Sequence, residues 1–402
     1  MNDLARIGLV TNGLYTPGGI SSVCWFLYQI ISSSDRFDIQ LFSVESAYNH
    51  PLNVRILDPK SWLRGVRIEE CRWRNIPTRH VGTYLSEFEF QRYMPQKELT
   101  NLLNQFDLIQ VVSGSPALAY ITRNVEIPVC LQAATMMKLE RKSLLRRSRG
   151  VRKIYSLLML PIISEIEKRA LQKAAHIFAN TEYTRKALLP YTDISKVSID
   201  SIGVDIDKFW PLEEGKRTDS YILSVGRFED VRKNIGLLFD AYAIVRKHMP
   251  NLPKLILAGQ TAPYPAAWAR AVALGIDGFI ELRINISSEE LVDLYQNAAV
   301  FVLPSDEEGL GIVLLESMAC ATPVISTCSG GPDSIVSDQV GWLTPIGDAQ
   351  KMADCLLWNI QNPTQRRSMG LAGRRMVETR FSIEAVGKKY LDVYDKFIGA
   401  DS

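Results

Sequence analysis

The stretch LPSDEEGLGIVLLESMACATPVISTCSGGPDSIV, residues 303–336, decides the fold expected for this chain. It reads as a strand, then a short loop containing Gly309, Leu310 and Gly311, and then a helix that begins at about Ile312. The unpaired N–H groups and the dipole at such a helix start favour an anion. The stretch therefore predicts a strand–loop–helix site for a phosphorylated ligand.

Two glutamates, Glu308 and Glu316, stand eight residues apart in this stretch. Carboxylates repel phosphate, so we expect them to bind hydroxyl groups, those of a sugar at one end and of a ribose at the other. Eight residues of helix would span about 12 Å, enough to bracket a diphosphate. The alternative is a pair of surface acids, but residues 312–315 are apolar, and a carboxylate on a buried helix needs a partner or a ligand.

The composition describes a soluble globular chain of two domains, with 402 residues, 47% hydrophobic and 22% charged. A net charge of +2 implies no general attraction to nucleic acid. The six cysteines form no C-x-x-C pair and the four histidines are widely spaced, which favours reduced thiols and disfavours a structural zinc site. No secretory signal is recognised, and the longest uncharged apolar run, residues 154–164, is too short to span a bilayer, so a cytoplasmic location is expected.

Short apolar strands alternate with helical patterns in both halves, which predicts the α/β class with two doubly wound parallel sheets. The predicted strands of the first half are residues 6–11, 39–44, 108–112, 129–132, 176–180 and 197–202. Those of the second half are residues 221–225, 255–258, 279–282, 300–303, 323–326 and 342–344. The charged stretch 208–220 is the predicted linker, dividing the chain into domains at 1–210 and 211–381, and a last helix from about residue 382 to the end at 402 is expected to pack back on the first domain.

Two cations follow the first strand of the second half. Arg227 ends that strand, and Lys233 precedes the next helix, so both are expected near the carboxyl edge of the sheet, where they could neutralise a pyrophosphate leaving group. Taken alone they would be ordinary surface charges. Gly18 and Gly19, after the first strand of the chain, are either a simple turn or a place where backbone approaches a phosphate closely.

A basic segment spans residues 138–153 and has two interpretations. It is either a solvated face or a surface that lies on an anionic membrane, and poor aromatic interleaving makes nucleic acid the weaker partner. Its basic residues are Lys138, Arg141, Lys142, Arg146, Arg147, Arg149, Arg152 and Lys153.

Together these residues resemble the retaining glycosyltransferases of the GT-B fold, specifically family 4 (glycosyl transferases group 1). The resemblance is strongest over residues 221–347 and rests on the pair Glu308 and Glu316 with its flanking glycines, on Arg227 and Lys233, and on Gly330-Gly331. Residues 45–130 match only loosely.

The resemblance implies two Rossmann-like domains that face each other across a cleft, with a nucleoside-diphosphate sugar held mainly by the second. Arg227 and Lys233 would then hold the diphosphate, Glu308 the donor sugar and Glu316 the ribose. The other implied donor-binding residues are Gly18, Gly19, Arg283, Gly309, Leu310, Gly311 and Ile312. Catalysis would need neither metal nor cofactor, and the anomeric configuration would be retained.

Three positions depart from the family pattern. Ala134 stands where many members have a histidine near the reacting sugar, which leaves the acceptor side open. Asp333 replaces the commoner glutamate, and Ala321 replaces a glycine, a change that we expect to need only a negative φ. Ile202 replaces a frequent asparagine before Gly203 without evident chemical cost.

The sequence therefore predicts a retaining transferase that moves a sugar, from UDP first and GDP second, to a glycan, lipid-linked or small-molecule acceptor. We expect it in the cytoplasm, with contact to the inner face of the membrane as an open possibility. Two alternatives remain, a nucleotide-sugar epimerase or hydrolase of the same fold and a non-catalytic subunit of a glycosylation complex.

Overall fold

The computed structural model describes residues 4–15, 18–47, 49–141, 150–213, 215–218 and 220–399, without the side chains of residues 151 and 152. The chain forms two compact units. The first unit contains Met1–Ile202 and Val386–Ser402, and the second contains Gly203–Ala385. Both units have the α/β architecture predicted from the sequence, so this part of the fold prediction is confirmed.

The first unit is built on an eight-stranded sheet of order β3-β4-β2-β1-β5-β6-β7-β8. The order reverses between β1 and β5, which makes the carboxyl ends of these two strands the topological switch point of the sheet. Its strands are β1 (Ala5–Asn12), β2 (Phe37–Val44), β3 (Ile68–Trp73), β4 (Ile76–Val81), β5 (Leu108–Ser113), β6 (Val129–Ala133), β7 (His176–Ala179) and β8 (Val197–Ile199). Its helices before the second unit are α1 (Gly19–Ser32), α2 (Pro59–Arg64), α3 (Lys97–Leu103), α4 (Gly150–Lys173) and α5 (Glu182–Leu188).

The antiparallel hairpin of β3 and β4 is absent from the sequence prediction. Arg74 and Asn75 form its two-residue turn with φ of 49° and 66°, the left-handed values that such tight hairpin turns require. Charged residues at positions 69, 70 and 72 of β3 hid the strand, because they break the apolar run that identified the other strands.

The second unit is built on a six-stranded parallel sheet of order β11-β10-β9-β12-β13-β14. All six strands predicted for this half are present, and the order reverses between β9 and β12. Its strands are β9 (Tyr221–Val225), β10 (Lys254–Gly259), β11 (Ile280–Ile284), β12 (Ala298–Leu303), β13 (Val324–Thr327) and β14 (Gly341–Thr344). Its helices are α6 (Ile235–His248), α7 (Pro265–Ala273), α8 (Ser288–Asn297), α9 (Ile312–Ala319), α10 (Ala349–Gln361) and α11 (Pro363–Arg380).

The last helix, α12 (Ile383–Ile398), belongs to the first unit from Val386 onward. The Tyr390 ring stacks on the Phe178 ring of β7 at a centroid distance of 4.0 Å. The Tyr394 hydroxyl donates to Gln110 Oε1 on β5 at 2.9 Å. A Cβ at Gly387 would lie 2.7 Å from Ile30 Cγ2, so glycine is needed for this close approach of α12 to α1. These buried contacts tie the C-terminal helix to the first sheet.

Two details of the 303–336 stretch differ from the prediction. Helix α9 begins at Ile312, so Glu308 lies in the loop before it, and a helical rise does not set the distance between Glu308 and Glu316. Ala321 has φ of +54°, so the expectation of a negative φ there was wrong. An L-residue pays a local backbone cost in this conformation, which explains why glycine suits the position. Among the described residues, no helix combines the length and the apolar character needed to cross a membrane.

Candidate functional site

The predicted ligand-binding residues of the second unit follow the two strands that flank its switch point. Arg227 and Lys233 come after β9, and Glu308 comes after β12, the neighbouring strand. Because the carboxyl ends of parallel strands lie at one edge of the sheet, these side chains share the edge where doubly wound sheets bind ligands.

Lys233 and Glu308 form an ion pair in this place. The Lys233 Nζ lies 2.5 Å from Glu308 Oε1, and the Ser305 hydroxyl donates to the same oxygen at 2.7 Å. The two charged side chains are only 20% and 11% exposed, so water screens their interaction little. The pair therefore fixes the position of an ammonium group at the switch point.

The loop between β12 and α9 is held on both sides by hydrogen bonds. Asn234 Nδ2 donates to Asp306 Oδ1 at 2.8 Å, and the Asp306 amide donates to the carbonyl of Arg232 at 2.8 Å. On the other side the Gly331 amide donates to the Glu308 carbonyl at 2.8 Å. These bonds preorganise the loop before any ligand is bound.

Gly331 and Gly311 are required by this packing. A Cβ at Gly331 would lie 2.5 Å from Leu310 Cα, a distance that backbone atoms cannot relieve without shifting the loop. Gly311 caps α9 with φ of +84°, a conformation that favours glycine. The helix start that follows presents backbone N–H groups and the positive end of its dipole.

Arg227 remains partly in water beside this cluster, with 46% of its side chain exposed. Its Nη2 lies 3.9 Å from Asp230 Oδ2, but Asp230 makes its short contact, 2.7 Å, with Arg232. Burial of Asp230 works to raise its pKa, yet the hydrogen bonds and charge of Arg232 hold that pKa below its usual value. The Arg227 guanidinium therefore remains accessible to an anion from solution.

Glu316 lies on α9 with its carboxylate among apolar neighbours. The Tyr295 hydroxyl of α8 donates to Glu316 Oε2 at 2.9 Å. Burial raises the pKa of Glu316 to about 7, although the hydrogen bond from Tyr295 acts in the opposite direction. Glu316 thus changes charge near neutral pH, and Tyr295 is a member of the site that sequence reasoning missed because it belongs to another helix.

Arg283 is not brought to this cluster by any contact of the described residues. It lies on β11, the edge strand, and its Nη2 is 2.5 Å from Glu281 Oε1 with half of the arginine side chain exposed.

In the first unit, Gly18 and Gly19 follow β1 at the switch point of that sheet, Gly18 as the N-cap and Gly19 as the first residue of α1. Ser21 caps the helix start, since Gly18 N donates to Ser21 Oγ at 3.1 Å and Ser21 Oγ donates to the Gly18 carbonyl at 2.9 Å. A Cβ at Gly18 or Gly19 would meet nothing within 4 Å. Protein packing therefore does not account for glycine at position 19.

Ala134, where a histidine was expected, follows β6 in the first unit. Its carbonyl accepts a hydrogen bond from the Thr184 hydroxyl at 2.7 Å, and the neighbouring Thr135 amide donates to the Gly114 carbonyl at 2.9 Å. The loop is thus anchored by its backbone and offers no titratable side chain at residue 134.

The predicted basic segment is described only at its ends. Lys138 is exposed, whereas the Arg141 side chain is 14% exposed and already forms an ion pair with Glu89. Arg146, Arg147 and Arg149 lie outside the described residues.

Comparison with known proteins finds a family match in the second unit. Residues 207–376 match the family model described as "Glycosyl transferases group 1". A D-inositol 3-phosphate glycosyltransferase of Kribbella flavida is 31% identical over 225 residues, which cover 51% of this chain and 53% of that protein. The chain spans little more than half the length of such curated relatives, between 53% and 59% for the first three.

Solved structures share the fold over nearly the whole chain. Sucrose-phosphate synthase from Thermosynechococcus elongatus superposes with a TM-score of 0.76 at 18% identity, covering 98% of this chain and 100% of that one. The Anabaena protein HepE in complex with UDP and glucose gives 0.71 at 15% identity, with coverage of 98% and 100%. The fold class is therefore that of the GT-B glycosyltransferases.

Proposed function

Because residues 207–376 of this chain match the family model of glycosyl transferases group 1, we propose that the protein transfers a sugar from a nucleoside diphosphate to an acceptor hydroxyl. The observation that carries the proposal is the Lys233–Glu308 pair at the switch point of the second sheet, beside the start of α9. A shielded ammonium, an exposed guanidinium and a helix start at one edge suit a diphosphate, and the match to glycosyl transferases group 1 favours a nucleotide sugar as its carrier.

The donor diphosphate would lie at the start of α9, between Lys233 and Arg227. A fixed ammonium, an exposed guanidinium and the N–H groups of Gly309–Ile312 together neutralise the charge that develops as the sugar–phosphate bond breaks. No divalent cation is needed for this step. The binding of UDP is accordingly expected to be unchanged by EDTA.

The two glutamates would bind hydroxyl groups of the donor. Both recorded contacts of Glu308 use Oε1, from Lys233 and Ser305, which leaves Oε2 for hydroxyls of the sugar. Glu316, when ionised, would accept from the ribose. We propose retention of configuration by front-face attack, in which an oxygen of the donor phosphate takes the proton of the acceptor hydroxyl, since Ala134 provides no base.

UDP is the proposed donor nucleotide, with GDP second. HepE, which shares the fold, is described in complex with UDP and glucose. A thermal-shift panel of UDP- and GDP-sugars is the direct test, because a ligand that binds only the folded state raises the melting temperature by mass action. If only GDP-sugars raise the melting temperature, the donor nucleotide is GDP and not UDP.

The transfer reaction is tested with Arg227→Ala, an exposed side chain whose removal leaves the core intact. Losing a preorganised cation should cost about 3 kcal/mol in the transition state, a fall of about two orders of magnitude in kcat/KM. Near-full turnover in a folded variant would exclude the proposed role. Incubation with donor alone separates the alternatives, because rapid conversion without acceptor indicates an epimerase or hydrolase, and donor binding without transfer indicates a non-catalytic subunit.

We also propose contact with the inner, anionic face of a membrane, in support of a lipid-linked acceptor. Helix α4 exposes 60%, 50% and 62% of Ile154, Leu157 and Leu158, and the exposed Lys153 precedes them. Apolar residues beside cations bind anionic lipid surfaces, with about 1 kcal/mol from each cation near the surface.

Liposome co-sedimentation tests the membrane contact. Ile154→Glu with Leu158→Glu, or neutralisation of Arg146, Arg147 and Arg149, should reduce binding to anionic vesicles at low salt several-fold. Leu371→Glu is the matched control, since Leu371 is 44% exposed on α11 of the second unit. Equal binding by all variants, or no binding by the unaltered protein, would assign the basic segment to a solvated face.

A further inference from the structure

Three side chains that sequence reasoning left unconnected meet in the first unit. Glu45 follows β2, His80 lies on β4, and His50 lies in the loop between them. The parallel register of β2 and β4 pairs Ser43 with His80, which brings residue 80 beside the end of β2. The wide spacing of the histidines in the sequence therefore did not keep two of them apart.

The ligand atoms of the three residues are close enough to share one ion. Nε2 of His80 lies 2.9 Å from Glu45 Oε2, Nε2 of His50 lies 3.7 Å from the same oxygen, and one ligand atom from each residue lies within 4.8 Å of the others. Tetrahedral zinc with bonds of about 2.0–2.1 Å separates its ligand atoms by about 3.3 Å. The two distances to Glu45 fall on either side of this value, so small side-chain rotations would form the site.

The surroundings hold His80 in place and leave one of its nitrogens unsatisfied. His80 is 8% exposed, and the Tyr15 ring packs edge-on against it at a centroid distance of 5.5 Å. His80 Nδ1 is buried without a hydrogen-bond partner among the described residues. Among the described residues, Nε2 is therefore the engaged nitrogen of His80, and it is the one that lies beside Glu45.

Glu45 is the central member of the cluster, because its Oε2 faces both imidazoles and its side chain is 14% exposed. Two existing contacts must be given up on metal binding. One is the hydrogen bond between His80 Nε2 and Glu45 Oε2, since both atoms would bind the ion. The other is the long 3.4 Å approach of the Leu52 amide to His50 Nδ1, because that nitrogen must carry the proton when Nε2 binds a metal.

We propose that Glu45, His50 and His80 form a binding site for a divalent transition metal, Zn²⁺ in the first place. Two imidazoles and one carboxylate are a ligand set that zinc uses when a further position stays open. The open position lies on the side of His50, whose side chain is 36% exposed. The site belongs to the first unit and shares no residue with the proposed donor site.

Isothermal titration of the metal-free full-length chain with ZnCl₂ tests the site. The Cys328→Ser background is used because Cys328 is an exposed thiol that can bind zinc on its own. One zinc per chain is expected, together with a rise in melting temperature. The substitutions His50→Ala and Glu45→Gln should each weaken zinc binding by about 10-fold or more. His248→Ala is the matched control, since His248 is an exposed histidine of the second unit and should leave binding unchanged.

Substitution of Co²⁺ adds a readout of geometry, because tetrahedral cobalt has intense visible absorption bands. His80→Ala should abolish these bands, and His50→Ala, at a partly exposed position, guards against failure through unfolding. Absence of zinc binding to the folded chain would overturn the proposal. The same holds for binding that His50→Ala and Glu45→Gln leave unchanged.

Discussion

The two sheets of this protein carry very different residues at their carboxyl edges. In the second unit, the loops after β9 and β12 bring together Lys233, Glu308 and the start of α9. In the first unit, the chain after β1, at the switch point, leads to Gly19, which has open space around it. The loop after β6, one strand beyond the switch point, carries Ala134, which is engaged only through its backbone. The second unit therefore has fixed charges at this edge, whereas the first unit has open space and no charged side chain at positions 19 and 134.

The proposed reaction would account for this difference. A diphosphate needs preorganised positive charge, which requires shielded ion pairs and a rigid loop. An acceptor contributes a neutral hydroxyl, so its site can be shaped by backbone and apolar surface. Substitutions that remove a shielded charge from the second unit should thus change activity most. Substitutions that alter packing or remove an exposed charge should change it less.

The largest effect is expected for Lys233→Ala. Loss of the ammonium leaves Glu308 without its ion-pair partner and the diphosphate without a fixed cation, so kcat/KM should fall about 100- to 1000-fold. Lys247→Ala, an exposed lysine on α6, is the control and should act like the unaltered protein. A loss below threefold in initial-rate assays would remove Lys233 from the site.

A smaller effect is expected from two glycines, one in each unit. Gly331→Ala places a methyl group 2.5 Å from Leu310 Cα and should lower the free energy of unfolding by about 1–3 kcal/mol. Gly19→Ala meets nothing within 4 Å and should leave stability unchanged, so any loss of transfer in that variant reports contact with a substrate. Chemical denaturation measures the free energy of unfolding of both variants. Equal destabilisation of the two would contradict the contrast between a packed glycine in the second unit and an open one in the first.

The pH dependence of Glu316 follows from its raised pKa. Between its unfolded value of 4.5 and about 7 the folded state binds the extra proton, so charging this group costs stability as pH rises through that window. Glu316→Gln should therefore gain stability over the unaltered protein at pH 8, by about 1–2 kcal/mol, and show no gain at pH 4. Donor binding by the unaltered protein should weaken as pH falls below 7, because a protonated carboxyl accepts hydroxyl protons poorly. If the free energy of unfolding of the two proteins changes with pH in the same way, Glu316 does not have the raised pKa assigned to it.

The smallest effect is expected for Arg283→Ala. Sequence reasoning placed Arg283 in the donor site, whereas its contact is an exposed pair with Glu281 on the edge strand. Exposed pairs of this kind contribute about 0–1 kcal/mol, so kcat/KM should change less than twofold. A tenfold loss of kcat/KM in Arg283→Ala would show that Arg283 contributes to donor binding after all.

The sequence predicted most of the second unit because its signals are local. Six apolar strands, the glycine loop and the start at Ile312 are each written in a few adjacent residues. The six strands predicted for the first unit are present as well, but its hairpin and its histidine pair depend on pairings between distant residues. Charged residues concealed β3, and only the register of β2 and β4 brings His80 to Glu45. The partnership of Tyr295 with Glu316 likewise needs the packing of two helices, and the left-handed Ala321 needs the backbone itself.

Calorimetric titration of UDP tests the central claim, that the switch point of the second sheet holds the donor diphosphate. The unaltered chain, in the presence of EDTA, should bind one UDP, and Lys233→Ala should weaken binding about 10-fold or more while Lys247→Ala leaves it unchanged. Binding of UDP or GDP to Lys233→Ala as tightly as to the unaltered chain would contradict the claim.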